Sequence, residues 1–353
     1  MPKIAIIGTT SWGITLAVLL ARKKSEVSLW ARSEQEAAEF AASKQNRGTL
    51  SQGVQFPPNL TVTSSLDSAL NSAQAVILAV PSQKLRQNIK LVAGYLTDST
   101  LIISAAKGLE ISSRKRMSLV IAEEVPPRLR HNICVLSGPN LAPEIIKGLP
   151  SATVIASDHE VTARKAQKLL TSPTLCVYTN TDVIGVELGG ALKNIIALGA
   201  GIADGLGYGD NAKAALITRG LTEMTALGVA LGANPLTFSG LAGLGDLIAT
   251  CASPLSRNHY VGVELTKGRS LQDITGSMSG VAEGVTTTLV VWDLARQMGL
   301  AMPITEGIHS ILYEGTDLKE AVAKLMQAEA YHELTGRKWQ LFSFLRRSRV
   351  RSS

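Results

Sequence analysis

The sequence has few cysteines, and nothing in their arrangement suggests a covalent or metal-bound framework. Cys134, Cys176 and Cys251 are the only three, and they lie far apart along the 353 residues. This spacing argues against a disulfide framework and against a zinc site, and it fits a reducing compartment. The five histidines are scattered as well, and no cluster of His, Asp and Glu suggests a metal site. We therefore expect no bound metal.

Segments that would target or anchor the chain are also missing. The apolar run at residues 4–7 is too short for a signal peptide and ends in a glycine turn. The most apolar later stretch, near residues 184–203, is interrupted by Glu187 and Lys193, so no membrane span is predicted. We expect a cytoplasmic protein.

Aromatic residues are scarce and the charge is moderately basic. The chain is 4% aromatic, 45% hydrophobic and 18% charged, with a formal net charge of +7, which suits a soluble globular protein rich in helix. Part of this charge lies in residues 336–353, a basic tail that we predict to be disordered. No nucleic-acid-binding motif accompanies the tail, so we expect no nucleic-acid partner. A basic balance also suits an anionic small substrate.

The order of the predicted elements indicates an α/β protein. Short β-rich runs alternate with amphipathic helices in the first half, which predicts a doubly wound parallel sheet. After Thr181 helical periodicity continues to about residue 328 without a convincing strand. We predict one domain over residues 1–182 and an all-helical domain over residues 183–335. The predicted strands are residues 3–7, 27–30, 61–63, 75–79, 100–104, 133–136, 152–155 and 175–178.

A glycine-containing turn follows the first predicted strand. Gly8 permits a tight turn, and Gly13 allows the next helix to pack closely on the strand. The start of that helix, at Ser11 and Trp12, offers backbone N–H groups to a pyrophosphate. Thr10 replaces the middle glycine of G-x-G-x-x-G, where its Cβ would crowd the phosphates. The turn predicts a Rossmann-like, dinucleotide-binding N-terminal domain; an ordinary strand–turn–helix with a glycine cap is the alternative.

The end of the second predicted strand bears on the choice of cofactor. An NAD site favours Asp or Glu there, but Arg32 is available instead. A guanidinium suits a 2′-phosphate, and its planar face can stack on adenine. The sequence therefore favours NADP(H) and leaves NAD(H) open. A surface arginine at a strand end is the alternative interpretation of Arg32.

A lysine lies in the middle of the most apolar helical segment. Lys193 and Asn194 interrupt a run of small and apolar residues that starts at Gly185 and leads into a second helix through a glycine-rich turn. A lone buried ammonium is costly unless it has partners or a task. Lys193 is therefore either a structural lysine paired with a carboxylate or a functional group. Lys107 follows a predicted strand, at the edge where ligands of open α/β sheets bind.

Together these features resemble the bacterial type of NAD(P)-dependent glycerol-3-phosphate dehydrogenase, over residues 3 to about 328. That family combines a Rossmann-like domain with a helical domain and interconverts dihydroxyacetone phosphate and sn-glycerol 3-phosphate, the precursor of glycerophospholipids. The resemblance rests on the opening turn and on four further motifs: Lys107-Gly108-Leu109-Glu110, Ser137-Gly138-Pro139, GLAGLGDL at 240–247, and Ser256-Arg257-Asn258.

The resemblance implies roles for individual residues. Lys193 is the implied proton donor and acceptor, with Lys107 and Asp246 as further catalytic groups. The implied substrate contacts are these three together with Gly138, Asn140, Asn194, Thr250, Ser256, Arg257 and Asn258, the last three forming a phosphate clamp. The implied cofactor contacts are Gly8, Ser11, Trp12, Gly13, Arg32, Lys107, Ala142, Arg257, Val281 and Glu283.

Two other functions stay open on the sequence alone. A related dehydrogenase of another hydroxy acid or sugar acid could use a similar lysine, although Arg257 and its neighbours argue against it. A catalytically silent dinucleotide sensor is favoured only by Thr10, whereas the presence of Lys193 and Asp246 argues against it. Long Ala/Gly-rich helices pack well against each other, which leads us to consider a homodimer.

Overall fold

A computed structural model describes residues 1–43, 55–278 and 280–326. The predicted basic tail, 336–353, and the last residues of the predicted helical domain lie outside the described residues. The described chain forms one mixed sheet with helices on both faces, followed by a region made only of helices. The fold is therefore the α/β architecture with a helical C-terminal region that the sequence predicts.

Eight strands form the sheet, each at a position where a strand is predicted. Their order across the sheet is β3-β2-β1-β4-β5-β6-β7-β8, which runs outward in both directions from β1. The strands are β1 Lys3–Ile7, β2 Glu26–Trp30, β3 Leu60–Thr63, β4 Ala75–Leu78, β5 Leu101–Ser104, β6 Ile133–Ser137, β7 Ser151–Ala156 and β8 Leu175–Asn180.

One pairing departs from the predicted all-parallel sheet. β6 and β7 are antiparallel, whereas every other pair of neighbours is parallel. The chain between these two strands contains only the four-residue helix Ala142–Ile145. This helix is too short to carry the chain back along the sheet, as a parallel connection requires. β7 therefore enters the sheet in the reverse direction.

The helices divide into a group on the sheet and a group after it. The first group is α1 Ser11–Arg22, α2 Glu34–Ser43, α3 Leu66–Leu70, α4 Leu85–Val92, α5 Met117–Glu124, α6 Ala142–Ile145 and α7 Glu160–Leu170. The second group is α8 Val183–Gly205, α9 Gly209–Ala230, α10 Pro235–Phe238, α11 Asp246–Ala252, α12 Arg257–Thr266, α13 Leu271–Ser277, α14 Glu283–Met298, α15 Pro303–Tyr313 and α16 Leu318–Met326.

Apolar side chains fill both faces of the sheet. Along β1, Ile4 and Ile6 belong to one buried cluster and Ala5 and Ile7 to another, as alternation along a strand requires. All four residues of β4 are buried. Each fully buried aliphatic side chain of this kind contributes roughly 1.5–3 kcal/mol. The sheet is therefore a rigid base whose carboxyl ends can hold functional groups.

Helix α8 is the central helix of the helical region. It packs against α9, α11, α12 and α14, and its glycines make these contacts close. A Cβ on Gly201 would lie 2.0 Å from the carbonyl oxygen of His259, and one on Gly189 would lie 2.5 Å from that of Ala242. Each helical glycine costs about 1 kcal/mol relative to alanine. Because Gly189 and Gly201 lack a side chain, other segments of the protein can approach the helix closely at these positions, in spite of this cost.

Two stretches of the described chain are long and apolar enough to cross a membrane: Val183–Gly205 and Pro235–Ala252. The first is α8, and 89% of its most apolar window is buried inside the protein. Its apolar surface is therefore matched by neighbouring helices, as expected for the core helix of a helical bundle.

Candidate active site

A single carboxylate bridges two ammonium groups where the sheet meets the helical region. Asp246 Oδ1 accepts a hydrogen bond from Lys193 Nζ at 2.6 Å, and Asp246 Oδ2 accepts one from Lys107 Nζ at 2.6 Å. The Asp246 side chain is 2% exposed and that of Lys193 is 8% exposed. Charges this deeply buried are tolerated only when they are paired. Two ammonium groups and one carboxylate leave the cluster with a net positive charge, which suits an anion or a developing oxyanion.

Three separate elements bring these side chains together. Lys193 projects from the middle of α8, Lys107 follows the end of β5, and Asp246 is the first residue of α11. Directly before Asp246 the chain forms a π-helical turn, Leu241–Gly245. This turn lies against α8 at Gly189, where no side chain intervenes. π-helical turns are frequent at functional sites because they re-aim the residues that follow.

Each of the two lysines has a second protein partner. Lys193 Nζ donates to Thr250 Oγ1 at 2.6 Å, and that hydroxyl in turn donates to the carbonyl oxygen of Asp246 at 2.6 Å. Lys107 Nζ donates to the carbonyl oxygen of Gly138 at 2.8 Å. An ammonium has three N–H groups. Each lysine therefore uses two of them on these partners and keeps one for a ligand.

Burial sets the protonation behaviour of Lys107. The pKa of Lys107 is lowered to about 8, mainly because the side chain is removed from water; the Asp246 carboxylate acts in the opposite direction, and the nearby Lys193 ammonium also lowers the pKa. A lysine that titrates near neutral pH can both give and take a proton under physiological conditions.

Two asparagines tie the helices around this cluster. Asn194, one residue after Lys193, accepts a hydrogen bond at Oδ1 from Asn258 Nδ2 at 2.8 Å. Asn258 Oδ1 accepts from the N–H of Gly284 at 2.9 Å. α8, α12 and the start of α14 are thereby fixed to one another. The side chain of Asn258 is engaged in this scaffold, next to the residue implied to bind phosphate.

The start of α12 presents the guanidinium of Arg257, on which the Glu283 carboxylate acts electrostatically. Ser256 caps the helix, because its Oγ accepts the N–H of His259 at 3.2 Å. Arg257 is exposed and donates no hydrogen bond to any described residue. A free guanidinium at a helix N-terminus is suited to bind a phosphate.

A cavity of about 400 Å³ lies at the carboxyl end of the sheet. It is lined by the glycine-containing turn after β1 (residues 8–10, below called the phosphate turn), the end of β2 and the first turns of α2. Gly8 adopts a φ of +112°, and a Cβ there would lie 2.7 Å from the carbonyl oxygen of Ala79. Thr10 Oγ1 donates to that same Ala79 oxygen at 2.7 Å and accepts the N–H of Gly13 at 3.1 Å. The Thr10 side chain therefore caps α1. The threonine that stands in place of the middle glycine thus has a structural role at the start of this helix.

A second link joins the sheet to the helical region. Glu283, at the start of α14, accepts from the N–H of Ser82 at 2.8 Å and from Ser82 Oγ at 2.5 Å. Ser82 follows β4, and burial raises the pKa of Glu283. Nothing in the sequence pairs Ser82 with a residue 201 positions away.

Some of the residues singled out from the sequence lie away from the lysine pair or make other contacts. Asn140 Oδ1 accepts from Thr153 Oγ1 at 2.9 Å, so its side chain contacts β7. Ala142 begins α6, where its carbonyl oxygen accepts from Thr15 Oγ1 at 3.4 Å. Trp12 is partly buried against the core beside the sheet, and Val281 is exposed.

Within the described part of the chain, no three His, Cys, Asp or Glu side chains are grouped so that they could hold a metal ion.

Comparison with protein families gives two matches that together cover most of the chain. Residues 3–163 match the model for the N-terminus of NAD-dependent glycerol-3-phosphate dehydrogenase, and residues 182–323 match the model for its C-terminus. Among curated proteins, glycerol-3-phosphate dehydrogenase [NAD(P)+] of Dehalococcoides mccartyi is 64% identical over 353 residues, which is 100% of this chain and 98% of that protein. The enzyme of the same name from Chlorobium limicola is 47% identical, over 94% of this chain and 99% of that protein.

Solved structures agree with these matches. A crystal structure of glycerol-3-phosphate dehydrogenase from Coxiella burnetii superimposes with a TM-score of 0.87 at 37% identity, over 92% of this chain and 99% of the other. A ketopantoate reductase from Ralstonia eutropha shares the fold with a TM-score of 0.57 at 15% identity.

The bridging role of Asp246 can be tested by its substitution with asparagine. Asp246→Asn removes the charge that raises the pKa of Lys107, so that pKa should fall below about 8. The measurement is a pH titration of the ¹³Cε signals of labelled lysines by NMR, with the Lys107 signal assigned from a Lys107→Arg variant. Signals of exposed lysines such as Lys165 serve as the internal control. An unchanged Lys107 titration would show that the carboxylate does not act on it.

Proposed function

The chain belongs to the NAD-dependent glycerol-3-phosphate dehydrogenase family, and we propose that Lys193 is the residue that gives a proton to the substrate oxygen and takes it back. The activity is the NAD(P)-dependent interconversion of dihydroxyacetone phosphate and sn-glycerol 3-phosphate. The observation that carries the role of Lys193 is its deep burial on the carboxylate that it shares with Lys107.

The nicotinamide cofactor, when bound, supplies or accepts the hydride at the substrate carbon. In the direction of reduction, negative charge develops on the carbonyl oxygen. The remaining N–H of Lys193 stabilises this charge and then delivers the proton. Asp246 and Thr250 hold the Lys193 ammonium in place, so the entropic cost of orienting it during the reaction is small.

Lys107 acts as a second cation beside the reacting oxygen. Its ammonium is held by Asp246 and by the Gly138 carbonyl, and its pKa of about 8 lets it exchange protons near neutral pH. Its positive charge also adds to the stabilisation of negative charge that develops on the substrate oxygen.

The substrate phosphate binds at the start of α12. Arg257 can hold a phosphate with two parallel hydrogen bonds, and the helix N-terminus capped by Ser256 adds a favourable field. Asn258 and Asn194 keep this end of α12 against α8, at a fixed distance from Lys193. Gly138 and Asn140 complete the substrate pocket on the side of the sheet.

NAD(P) binds across the carboxyl end of the sheet. Gly8, Ser11, Trp12 and Gly13 form the pyrophosphate turn, and Arg32 lines the cavity beside it. The Arg32 guanidinium supports the use of NADP(H), with NAD(H) as the alternative. Contacts near the nicotinamide come from Lys107, Ala142, Arg257, Val281 and Glu283.

Several broader assignments extend this function. The division into a dinucleotide-binding domain, 1–182, and a catalytic domain, 183–335, follows the change from strands to helices. The product would supply glycerol 3-phosphate for glycerophospholipid synthesis. The three cysteines are free, which is consistent with a protein of the reducing cytoplasm. A homodimer through the Ala/Gly-rich helices is a further proposal.

Lys193→Ala should reduce turnover at least about 10²- to 10⁴-fold, because proton transfer and stabilisation of the oxygen are both lost. The measurement is oxidation of NADPH and of NADH with dihydroxyacetone phosphate, alongside the dissociation constant of each cofactor. Cofactor binding should stay within about twofold of the original, since the lysine lies on the substrate side. Lys165→Ala, an exposed lysine on α7, is the control. Turnover retained by the Lys193 variant would remove Lys193 from this role.

Arg257→Ala should raise the KM for dihydroxyacetone phosphate about 10- to 100-fold with a smaller change in kcat, because a charge-assisted phosphate contact is lost. Unphosphorylated dihydroxyacetone serves as the comparison substrate, and its kcat/KM should hardly change. An equal loss with both substrates would mean that Arg257 does not read the phosphate.

A further inference from the structure

An acidic side chain lines the proposed cofactor cavity close to Arg32. Glu36, in the first turn of α2, lines the cavity together with Gly8, Thr9 and Arg32. One of its carboxylate oxygens accepts a hydrogen bond from Thr9 Oγ1, and the other accepts one from the backbone N–H of Arg32 at 3.0 Å. Glu36 therefore connects the phosphate turn to the end of β2.

The start of α2 fixes the position of this carboxylate. Ser33 precedes the helix, and its Oγ accepts the N–H of Glu36 at 3.2 Å. The spacing of Ser33 and Glu36 is that of a capping box, in which the glutamate bonds back to the N–H of the cap residue. Here the carboxylate bonds to Arg32, one residue earlier, and to Thr9 across the cavity. Glu36 thus takes part in the cap and also faces the cavity.

The location of Glu36 suggests that its carboxylate affects the choice between NAD(H) and NADP(H). In sheets of this type, the adenosine ribose lies beside the end of the second strand, and an acidic residue there bonds the 2′-hydroxyl of NAD. At β2 this chain has Arg32, a cation that attracts a 2′-phosphate. A carboxylate in the same cavity repels a 2′-phosphate and can accept a 2′-hydroxyl.

We propose that Glu36 is a specificity-determining residue that disfavours the 2′-phosphate of NADP(H), so that cofactor preference depends on the balance between Glu36 and Arg32. Thr9 has a positioning role in this arrangement, because its hydroxyl holds the Glu36 carboxylate at the edge of the phosphate turn. The inference rests on the proposed placement of the cofactor in this cavity, and it is independent of the role of Lys193.

The test uses two adenosine fragments that differ only in the 2′-phosphate, adenosine 5′-monophosphate and adenosine 2′,5′-bisphosphate, with binding measured by calorimetry. Glu36→Gln keeps the size of the side chain and an oxygen for the Arg32 N–H, but removes the charge. Affinity for the bisphosphate relative to the monophosphate should rise about 10-fold, and less at high salt. The dissociation constants of NADPH and NADH should shift in the same direction.

Glu34→Gln is the matched control, because it removes the same charge from the same turn of α2 at an exposed position outside the cavity lining. Its fragment preference should stay within about twofold of the original. Glu36→Ala should repeat the shift of the glutamine variant, which guards against an effect of the new amide. An unchanged preference in both Glu36 variants would overturn the proposal, and so would failure of the original protein to bind either fragment. The expected shift in a protein that lacks turnover would support Glu36 while contradicting the proposed catalytic roles.

Discussion

The hydrogen bonds of Asp246 to two lysines are the interaction on which the rest of the site depends. Both oxygens of one buried carboxylate are in use, each 2.6 Å from an ammonium nitrogen. Without that carboxylate, two like charges would face each other in a poorly solvated space. Asp246, held in place by α11, therefore supplies the opposite charge between the lysine from the sheet and the lysine from α8.

This requirement explains local features that would otherwise only lower stability. The π-helical turn before α11 and the glycine at position 189 of α8 let the backbones approach closely enough for Asp246 to reach both lysines. Farther along α8, Gly201 lets α12 pack directly on the helix, which sets the distance from Lys193 to the start of α12, where we propose that the substrate phosphate binds. Each glycine in a helix costs about 1 kcal/mol relative to alanine, so these close contacts are made at the expense of helix propensity. The Ser82–Glu283 link then fixes the helical region on the sheet beside the cavity.

Much of the fold could be predicted because its signals are local. Alternating β-rich and amphipathic segments gave all eight strand positions, and the glycine-rich turn after α8 separated it from α9. Lys193 on α8 could be singled out because an ammonium in an apolar helix is costly to bury unless it has a partner or a function. The resemblance to a known family then named Lys107, Asp246 and Arg257 as its companions.

The remaining features depend on contacts between distant residues. The partners of Asp246 lie 53 and 139 residues away, so no local pattern could show that one carboxylate serves both. The reversed direction of β7 follows from a short connection whose path is not encoded in β-propensity. The sequence indicates that the Cβ of Thr10 would crowd the phosphates, but it does not show that the Thr10 hydroxyl caps α1 through hydrogen bonds with backbone groups. The spacing of Ser33 and Glu36 was a usable capping signal, although the contact of Glu36 with Thr9 required the folded chain.

The most direct measurement of this account is the pH dependence of kcat/KM for reduction of dihydroxyacetone phosphate, at saturating cofactor. If the Lys107 cation beside the reacting oxygen is needed while Lys193 delivers the proton, the rate of reduction should fall as pH rises through about 8, where Lys107 loses its charge, and the reverse oxidation should gain over the same range. A reduction rate that stays level to about pH 10, near the ordinary pKa of lysine, would contradict it.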